Sequence, residues 1–360
     1  MDCFFNKQKG LVDEDLLTSI LAATTFCKIH NASSAPAQQI AEQKQKIEED
    51  SCKPPVIIIA GPTAVGKSAF AMQAAKLFSG EIISADSVQV YRGMDVGTAK
   101  PSLQDRKEVV HHLVDLVPVT EPLNMAVFGE LAKEAIYSTL ARGKVPIVVG
   151  GSGFYLRSLM RGSPPGPSAD PFVRAHIEEE LERLGTGVLY ANLQKLDPCY
   201  AATISCADRQ KIVRAFEIMI LSQKKVSDHK WQENSPFRFC PFFFVRDREV
   251  MYRRIEQRCD MMLQQGLLQE VQYLLKDGLL ENPSAASAIG YRQCLEFLKS
   301  DQTPEAVKNF IVQFKQVSRR YAKRQLTWFK KEPQFAWLDL DKMSFQEVLD
   351  RVIDEYYGIL

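Results

Sequence analysis

The sequence predicts an α/β fold: a parallel sheet core with helices on both faces, plus an inserted all-helical domain. Short apolar runs alternate with segments of helical periodicity, which is typical of parallel strands joined by crossover helices. A glycine-rich loop follows the first apolar run. The stretch "RGSPPGPSADP" (residues 161–171) then breaks the alternation, because its prolines and glycines continue neither a helix nor a central strand.

The predicted strands before this break are short and apolar. They are Val56–Ala60, Glu81–Ser84, Leu113–Val117 and Val145–Val149. A crossover helix is expected to begin at Lys67 and to end at Gly80. Its residues spaced for burial are Phe70, Ala71, Ala74, Ala75 and Phe78. We expect His111 and His112 to pack or cap rather than to catalyse.

After the break, the chain is predicted to be helical before it returns to the sheet. A charged helical insertion extends from Val173 to about Ser222, and "CPFFFVRDR" (Cys240–Arg248) is expected to return as a buried strand. The helices that follow are Glu249–Gly266, Leu267–Asp277, Ala285–Leu298 and Pro304–Lys331. The predicted organisation is an extension (1–52), a first core part (53–163), the insertion (164–236), core completion with basic helices (237–345) and a C-terminal helix or tail (346–360).

Composition excludes several classes of protein. With 46% hydrophobic residues the chain can build a core, yet no apolar run approaches the ~20 residues that a bilayer crossing requires. The net charge of +1 indicates no partner, and eight scattered cysteines without a C-x-x-C pair predict neither zinc nor disulfides. A reducing cytoplasm is the expected location. The first 52 residues are expected to be a flexible, dispensable arm, since acidic residues precede their apolar stretch where a secretory signal has positive charge.

The motif "GPTAVGKS" is a strong signal for phosphate binding, because strand, loop and helix fall where that chemistry needs them. Backbone N–H groups of such a loop surround a phosphate chain. Its residues are Gly61, Pro62, Thr63, Ala64, Val65, Gly66, Lys67 and Ser68. Lys67 is expected to neutralise phosphate charge and Ser68 to hold Mg²⁺.

Two further loops follow strands of the same predicted sheet. Asp86 comes at the carboxyl end of the second strand, where ligands bind in open α/β sheets. It could serve as a metal or water ligand there, or it could cap a helix. In "VVGGSGFYLRSL", Ser152 follows the fourth strand and is expected to face the same crevice as the phosphate loop.

Positive charge is concentrated in the C-terminal third of the chain. Residues 308–331 contain eight Lys and Arg side chains, no acid and interleaved aromatics. Such a helix could be a solvated face over a core, or it could contact a phosphate backbone. In the insertion, "ADRQKIVRAFEI" adds Arg209, Lys211 and Arg214.

Taken together, these stretches resemble the tRNA dimethylallyltransferase family. The matching blocks are "GPTAVGKS", "ISADSVQVYRGMDVGTAKP", "HHLVDL", "PIVVGGSGFYLRSL", "ADPFVR", "DRQKIVRA", "RIEQRCDMML", "AIGYRQ" and "AKRQLTWF". They occur in family order from about Lys53 to Lys331. The resemblance implies transfer of a dimethylallyl group from dimethylallyl diphosphate to N6 of adenosine 37 in tRNA. It also implies a P-loop NTPase-like core and a tRNA-binding role for the insertion.

The resemblance implies roles for individual residues. Asp86 corresponds to the general base, and Arg258 corresponds to an arginine that holds the diphosphate together with Lys67, the P-loop and Mg²⁺ on Ser68. The positions that correspond to tRNA contacts are Asp86, Ser87, Val88, Gln89, Ser152, Arg174, Gln210, Lys211, Ile212, Val213 and Arg214. This chain departs from the family at Ser152, where Thr is more common, and at Cys259, where Phe is common.

Three alternatives differ in class. A small-molecule kinase would use the loop but would leave "KRQLTW" and the basic insertion without a role. A cytokinin-forming adenylate isopentenyltransferase tends to have Lys where this chain has Ser87. A non-enzymatic RNA-binding protein with a decayed loop is disfavoured by Lys67, Ser68 and Asp86. The chain ends without the zinc finger that eukaryotic relatives often carry, so the resemblance implies a bacterial-type enzyme. A monomer is also expected.

Overall fold

The computed structural model describes residue 39 and residues 41–45, 53–162, 166–230 and 235–358. Its centre is a six-stranded parallel sheet with strand order β3-β2-β4-β1-β5-β6. The strands are β1 (Pro55–Ala60), β2 (Gly80–Ala85), β3 (His111–His112), β4 (Val145–Gly150), β5 (Arg238–Val245) and β6 (Ala336–Asp339). The predicted α/β fold class is therefore confirmed. The predicted extension lies almost entirely outside the described residues.

Helices connect the strands and complete the core. The first four are α1 (Lys67–Phe78), α2 (Leu103–Glu108), α3 (Met125–Ala141) and α4 (Gly153–Arg161). The insertion contains α5 (Pro171–Leu184), α6 (Thr186–Leu196), α7 (Pro198–Ala201) and α8 (Arg209–Ser222). The C-terminal part contains α9 (Arg248–Gln264), α10 (Leu267–Lys276), α11 (Pro283–Ala286), α12 (Tyr291–Leu298), α13 (Pro304–Phe329) and α14 (Phe345–Tyr357). Of the helices described, none is both long enough and apolar enough for a bilayer crossing.

The hydrophobic residues form two separate clusters. The main core surrounds the sheet, where Val56, Ile57, Ile58, Ile59 and Ala60 of β1 are fully buried between strands on both sides. Helices of the insertion enclose a second core that includes Ile177, Leu181, Leu189, Leu193, Ile212 and Val213. Because its apolar side chains pack on one another, the insertion does not depend on the sheet for its own hydrophobic interior.

The strand predicted at Leu113–Val117 is wrong. The third strand consists only of His111–His112, and Leu113 and Asp115 have left-handed φ angles of 61° and 55°. Asp115 instead binds Lys100 Nζ at 2.5 Å and Arg106 Nη1 at 2.6 Å. Leu113 and Leu116 are buried, so the apolar pattern reflects burial of these side chains outside a strand.

Other predicted boundaries also need correction. Helix α1 ends at Phe78 and is capped by Ser79 in a left-handed conformation, so Gly80 does not end the helix. Gly80 begins β2, where a Cβ would meet the Val145 oxygen at 2.9 Å. The helix predicted at Ala285–Leu298 is two helices, separated at Gly290 with φ 92°. The short edge strand β6 was not predicted.

Glu81 forms a buried polar network at the start of β2. Its carboxylate accepts hydrogen bonds from Thr139 Oγ1 at 3.1 Å and Arg142 Nε at 3.0 Å, and lies 2.7 Å from His112 Nε2. Burial raises the pKa of Glu81, but the hydrogen bonds from His112 and Arg142 outweigh it and lower the pKa to about 2. The network ties β2, β3 and α3 together.

We expect Glu81→Gln to destabilise the fold at pH 7 by about 3 kcal/mol, because Arg142 loses its anionic partner. The folded-state pKa lies below the ordinary value of 4.5, so the carboxylate stabilises the fold above that pH and this contribution fades as pH falls towards about 2. Thermal unfolding from pH 7 to pH 2 tests this. Wild type should lose stability across the acid window more steeply than the variant. Glu130→Gln, at an exposed pair with Lys133, is the control, and parallel curves for wild type and Glu81→Gln would contradict the assignment.

Candidate active site

The loops that follow β1, β2 and β4 begin side by side. Ala60 and Ala85 both pair with Gly150, so Gly61, Asp86 and Gly151 leave the sheet at one edge. A Cβ on Gly150 would lie 2.1 Å from the Ala85 oxygen, so glycine is required for this close approach. A cavity of about 330 Å³ opens there, lined by Lys67, Ser68, Asp86, Gln89, Gly151 and Arg258 among others. It lies at the carboxyl ends of parallel strands, where α/β proteins bind ligands.

The phosphate loop has the backbone geometry that its sequence predicts. Gly61 and Gly66 have φ angles of 155° and 117°, and Ala64 is left-handed at 63°. Helix α1 starts at Lys67, so its first N–H groups are available to an anion. Lys67 Nζ donates to the carbonyl oxygens of Gly61 and Pro62, both at 2.8 Å. Burial, followed by the charge of Arg258, lowers the pKa of Lys67 to about 7 although Asp86 opposes the shift.

Asp86 is oriented by the turn that it begins. Its Oδ1 accepts a hydrogen bond from the Val88 N–H at 3.0 Å, so the carboxylate caps a turn rather than a helix. Within the described residues, Oδ2 has no hydrogen-bond donor. The side chain lines the first cavity and also a second one of about 310 Å³. Asp86 therefore presents one fixed and one available oxygen between two cavities.

The neighbours of Asp86 hold the β2 and β4 loops together. The Ser87 N–H donates to Ser152 Oγ at 3.2 Å. Gln89 accepts from Ser84 Oγ at 3.0 Å and donates to the Thr98 carbonyl at 3.2 Å. Ser87 and Val88 line the second cavity, whereas Gln89 lines the first. The structure thus brings Asp86, Ser87, Val88, Gln89 and Ser152 together.

Arg258 reaches the boundary between the cavities from α9. Its Nη2 donates to the Thr98 carbonyl at 3.3 Å, and the side chain lines both cavities. Burial lowers the pKa of Arg258, while Asp86 acts in the opposite direction. Tyr321, which also lines both cavities, has its pKa raised to about 12, chiefly by burial.

Gln325 is a site residue that the sequence reasoning missed. It lies on α13, one turn beyond Tyr321, and its side chain is buried. Its Oε1 accepts from the Thr63 N–H at 3.0 Å, and its Nε2 donates to the Gly151 carbonyl at 3.0 Å. A long C-terminal helix thereby joins the phosphate loop to the β4 loop. A polar amide on the apolar face of α13 was the signal that could have found it.

Glu270 anchors the loop after Asp86 from α10. Its Oε2 accepts from the N–H groups of Asp95 at 3.0 Å and Val96 at 2.6 Å, and its Oε1 accepts from Tyr291 Oη at 2.5 Å. Gly97 lies so close to this clamp that a Cβ would meet the Tyr291 ring at 2.6 Å. The clamped loop carries the Thr98 carbonyl that binds both Gln89 and Arg258. Glu270 therefore positions cavity residues without lining a cavity itself.

The predicted tRNA-contact residues of the insertion divide into three groups. Ile212 and Val213 are buried in the insertion core, so their side chains cannot reach a nucleic acid here. Gln210 and Lys211 are exposed. Arg174 Nη2 and Arg214 Nη1 lie 2.8 and 2.7 Å from the buried Glu217 carboxylate. Both arginines are thus tied to the insertion, although each remains partly exposed.

The basic helix α13 likewise has two faces. Lys315 and Arg319 are paired with Asp260 and Glu256 of α9, at 2.7 and 2.5 Å. An open groove further along is lined by Arg320, Lys323, Arg324, Thr327, Trp328 and Lys331. Those four basic residues make no ion pair within the described part of the chain. Arg324 also lines the second cavity, so the groove continues towards Asp86.

The fold and the site define a P-loop protein of the α/β class, with a phosphate cradle, a carboxylate and a basic groove in succession. The IPP transferase family model matches residues 89–332, and the isopentenyl transferase model matches residues 54–121. The chain belongs to the IPP transferase family.

Relatives with curated names agree with the family models. A protein of Protochlamydia amoebophila named tRNA dimethylallyltransferase is 50% identical over 306 residues, covering 84% of this chain and 88% of that protein. One of Chlamydia pneumoniae with the same name is 41% identical over 330 residues, covering 91% and 96%.

Solved structures are similar over most of the chain. A tRNA isopentenylpyrophosphate transferase of Staphylococcus epidermidis has 35% identity and a TM-score of 0.61, covering 86% of this chain and 100% of that one. A eukaryotic dimethylallyltransferase acting on tRNA has 29% identity and a TM-score of 0.71, covering 85% and 80%. Both the sheet core and the helical parts therefore belong to an architecture seen in that family.

We expect Glu270→Gln to weaken binding of inorganic diphosphate about 10-fold, because loss of one strong acceptor loosens the loop that holds Arg258. Calorimetric titration with inorganic diphosphate measures this. Tyr291→Phe removes a single hydrogen bond and should have a smaller effect. Glu296→Gln makes the same chemical change at an exposed position and serves as the control. Equal affinities in Glu270→Gln and Glu296→Gln would show that the clamp has no effect on the cavity.

Proposed function

We propose that this protein transfers a dimethylallyl group from dimethylallyl diphosphate to N6 of adenosine 37 in tRNA. The products are N6-(dimethylallyl)adenosine and diphosphate. The observation that carries the proposal is the position of Asp86, whose carboxylate lies where a cavity lined by the phosphate loop meets one that continues to a basic groove. Names of the curated relatives and of the similar structures support the same reaction.

The chemistry requires a base beside the reacting nitrogen. An exocyclic adenine amine is a poor nucleophile, because its lone pair is delocalised into the ring. As N6 bonds to the allylic carbon, the bond from that carbon to the diphosphate oxygen breaks and an N6 proton must leave. Asp86 is positioned to accept that proton, a contribution of about 10²–10⁴-fold in general base catalysis. The available Oδ2 suits this role, while Oδ1 is held by the turn.

The leaving diphosphate is stabilised by groups on the phosphate-loop side of the crevice. The N–H groups at the start of α1, together with Lys67 and Arg258, supply donors and positive charge in a partly buried crevice. The allylic fragment delocalises its own positive charge. The negative charge that develops on the diphosphate is therefore the charge that most needs stabilisation by the protein. We therefore assign Lys67 and Arg258 to the diphosphate.

Mg²⁺ fits this donor set as a partner of the diphosphate. The described residues contain no cluster of three His, Cys, Asp or Glu side chains that could hold a metal alone. Ser68 lines the cavity at the start of α1, and its hydroxyl is the kind of oxygen ligand that suits a hard cation which keeps waters and phosphate oxygens. When bound, Mg²⁺ would neutralise charge on the departing diphosphate.

The target base has to leave the stack of the anticodon loop to reach Asp86. Extruding a base costs a few kcal/mol, and a single-stranded loop lowers that cost. We place the entry of the adenine at the second cavity, because Arg324 lines both that cavity and the basic groove. The RNA backbone then lies along Arg320, Lys323 and Lys331.

The remaining expectations belong to the same proposal. Action as a monomer and location in the cytoplasm stay proposals; five free cysteines in the described residues fit a reducing compartment. A kinase or an adenylate isopentenyltransferase is disfavoured because the family match includes α13 and its basic groove.

Purified protein with Mg²⁺ should transfer a radiolabelled dimethylallyl group to an anticodon stem-loop that carries A37. The same RNA with guanosine at that position should accept nothing. Digestion to nucleosides and mass analysis identifies the product. Transfer to AMP but not to the stem-loop would replace the proposal with the adenylate reaction.

Asp86→Asn should retain RNA and diphosphate binding and lose about 10²–10⁴-fold in kcat, because the amide keeps an acceptor for the turn but cannot take a proton. Single-turnover transfer rates and RNA binding by filter retention measure the two effects. Asp301→Asn, which changes an exposed carboxylate that accepts from the Thr303 N–H just before α13, is the matched control. Unaltered turnover in Asp86→Asn would remove Asp86 as the base.

A further inference from the structure

Phe154 is an exposed aromatic ring beside the entrance to the site. It lies in the first turn of α4 with 57% of its surface exposed, whereas Tyr155 and Leu156 after it are buried. Two residues earlier, Ser152 accepts the hydrogen bond from the Ser87 N–H next to Asp86. The ring therefore lies within a few residues of the point where the target adenine is proposed to enter.

Trp328 of α13 holds this part of α4 in place. The rings of Phe154 and Trp328 meet edge to face with centroids 5.8 Å apart. A Cβ on Gly153 would lie 2.4 Å from the Trp328 ring, so α4 and α13 are in close contact here. The Arg157 guanidinium lies 4.6 Å from the centre of the Trp328 ring and forms an ion pair with the buried Glu332. Phe154 is thus an exposed ring on a rigid base rather than a loosely attached side chain.

The positive charge of the groove beside Phe154 and Trp328 favours nucleic acid as the ligand. Trp328 lines the groove that also contains Arg320, Lys323, Arg324 and Lys331, with no acidic residue among its lining. An aromatic face next to a row of cations is the combination that binds unpaired bases together with their phosphates. Phe154 does not line this groove itself but lies next to it through its contact with Trp328.

We infer that Phe154, supported by Trp328, is a stacking platform for the nucleobase next to the target adenosine. The inference rests on the proposed function, because it places the anticodon loop at this entrance. When the target base leaves the stack, its neighbour loses a stacking partner. The Phe154 ring replaces that surface, and the groove holds the adjoining phosphate.

Phe154→Ala should raise KM for the anticodon stem-loop about 5- to 150-fold, the range expected for loss of one stacked base, while KM for dimethylallyl diphosphate stays close to that of wild type. Phe154→Tyr keeps an aromatic face and should restore the KM for RNA. Tyr357→Ala, at another exposed aromatic, is the control and should bind RNA as wild type does.

Abasic RNAs separate stacking from a structural effect. Two stem-loops, each abasic on one side of the target adenosine, should be tested with wild type and Phe154→Ala. The penalty of the substitution should vanish on the RNA that lacks the stacked base and persist on the other. An equal penalty on intact and both abasic RNAs, or no penalty at all, would overturn the inference.

A binding measurement keeps this test independent of catalysis. With 2-aminopurine at the stacked position, wild type and Phe154→Tyr should quench its fluorescence on binding more strongly than Phe154→Ala. Equal quenching by all three proteins would also overturn the platform. Failure of wild type to transfer the dimethylallyl group would contradict the proposed function instead, and quenching would still report on stacking.

Discussion

The site depends on the parallel register that aligns the carboxyl ends of β1, β2 and β4. Ala60 and Ala85 flank Gly150, and the gap between the strands admits no side chain at that position. Because the three strands end together, a phosphate loop, a carboxylate and a serine hydroxyl emerge from adjacent positions. A slip of one residue in any strand would turn its side chains to the other face of the sheet and separate these groups.

Helix α13 adds the second organising constraint. Its buried face inserts Tyr321 and Gln325 into the crevice, and Gln325 binds the phosphate loop and the β4 loop at once. Its outer face is divided between ion pairs to α9 and an open basic groove. One helix therefore bounds both the crevice and the surface that leads to it, so a ligand on the groove and a ligand in the crevice contact the same rigid element.

Electrostatics within the crevice favour an anion. Lys67 and Arg258 lie near each other and are partly buried, and this burial lowers the pKa of both side chains. Backbone carbonyls of Gly61, Pro62 and Thr98 partly compensate these cations, with Asp86 as a nearby negative charge. A bound diphosphate would supply the charge that such a pair lacks, which is the physical reason why both residues are assigned to it.

The local sequence was sufficient to predict those parts of the site that are formed by residues close together in the chain. The phosphate loop follows from its glycines and from the strand and helix on either side, and Asp86 follows from its place at a strand end. The resemblance across ordered blocks identified the family before any contact was known. The resemblance could not show that Ile212 and Val213 are buried, because one matching block contains residues from both the buried and the exposed face of α8.

What the sequence by itself determined was the α/β class, the phosphate loop and the identity of the residues that carry charge. Only the tertiary structure decided which of those charged side chains are paired with other groups of the protein. Glu217 forms ion pairs with Arg174 and Arg214, and acidic residues of α9 form ion pairs with Lys315 and Arg319. The Glu270 carboxylate accepts hydrogen bonds from backbone N–H groups of the loop after Asp86. Arg214–Glu217 is an i,i+3 pair within α8, but the other pairings join residues far apart in the chain. They depend on how helices pack rather than on any periodicity along the sequence, and so no local pattern records them.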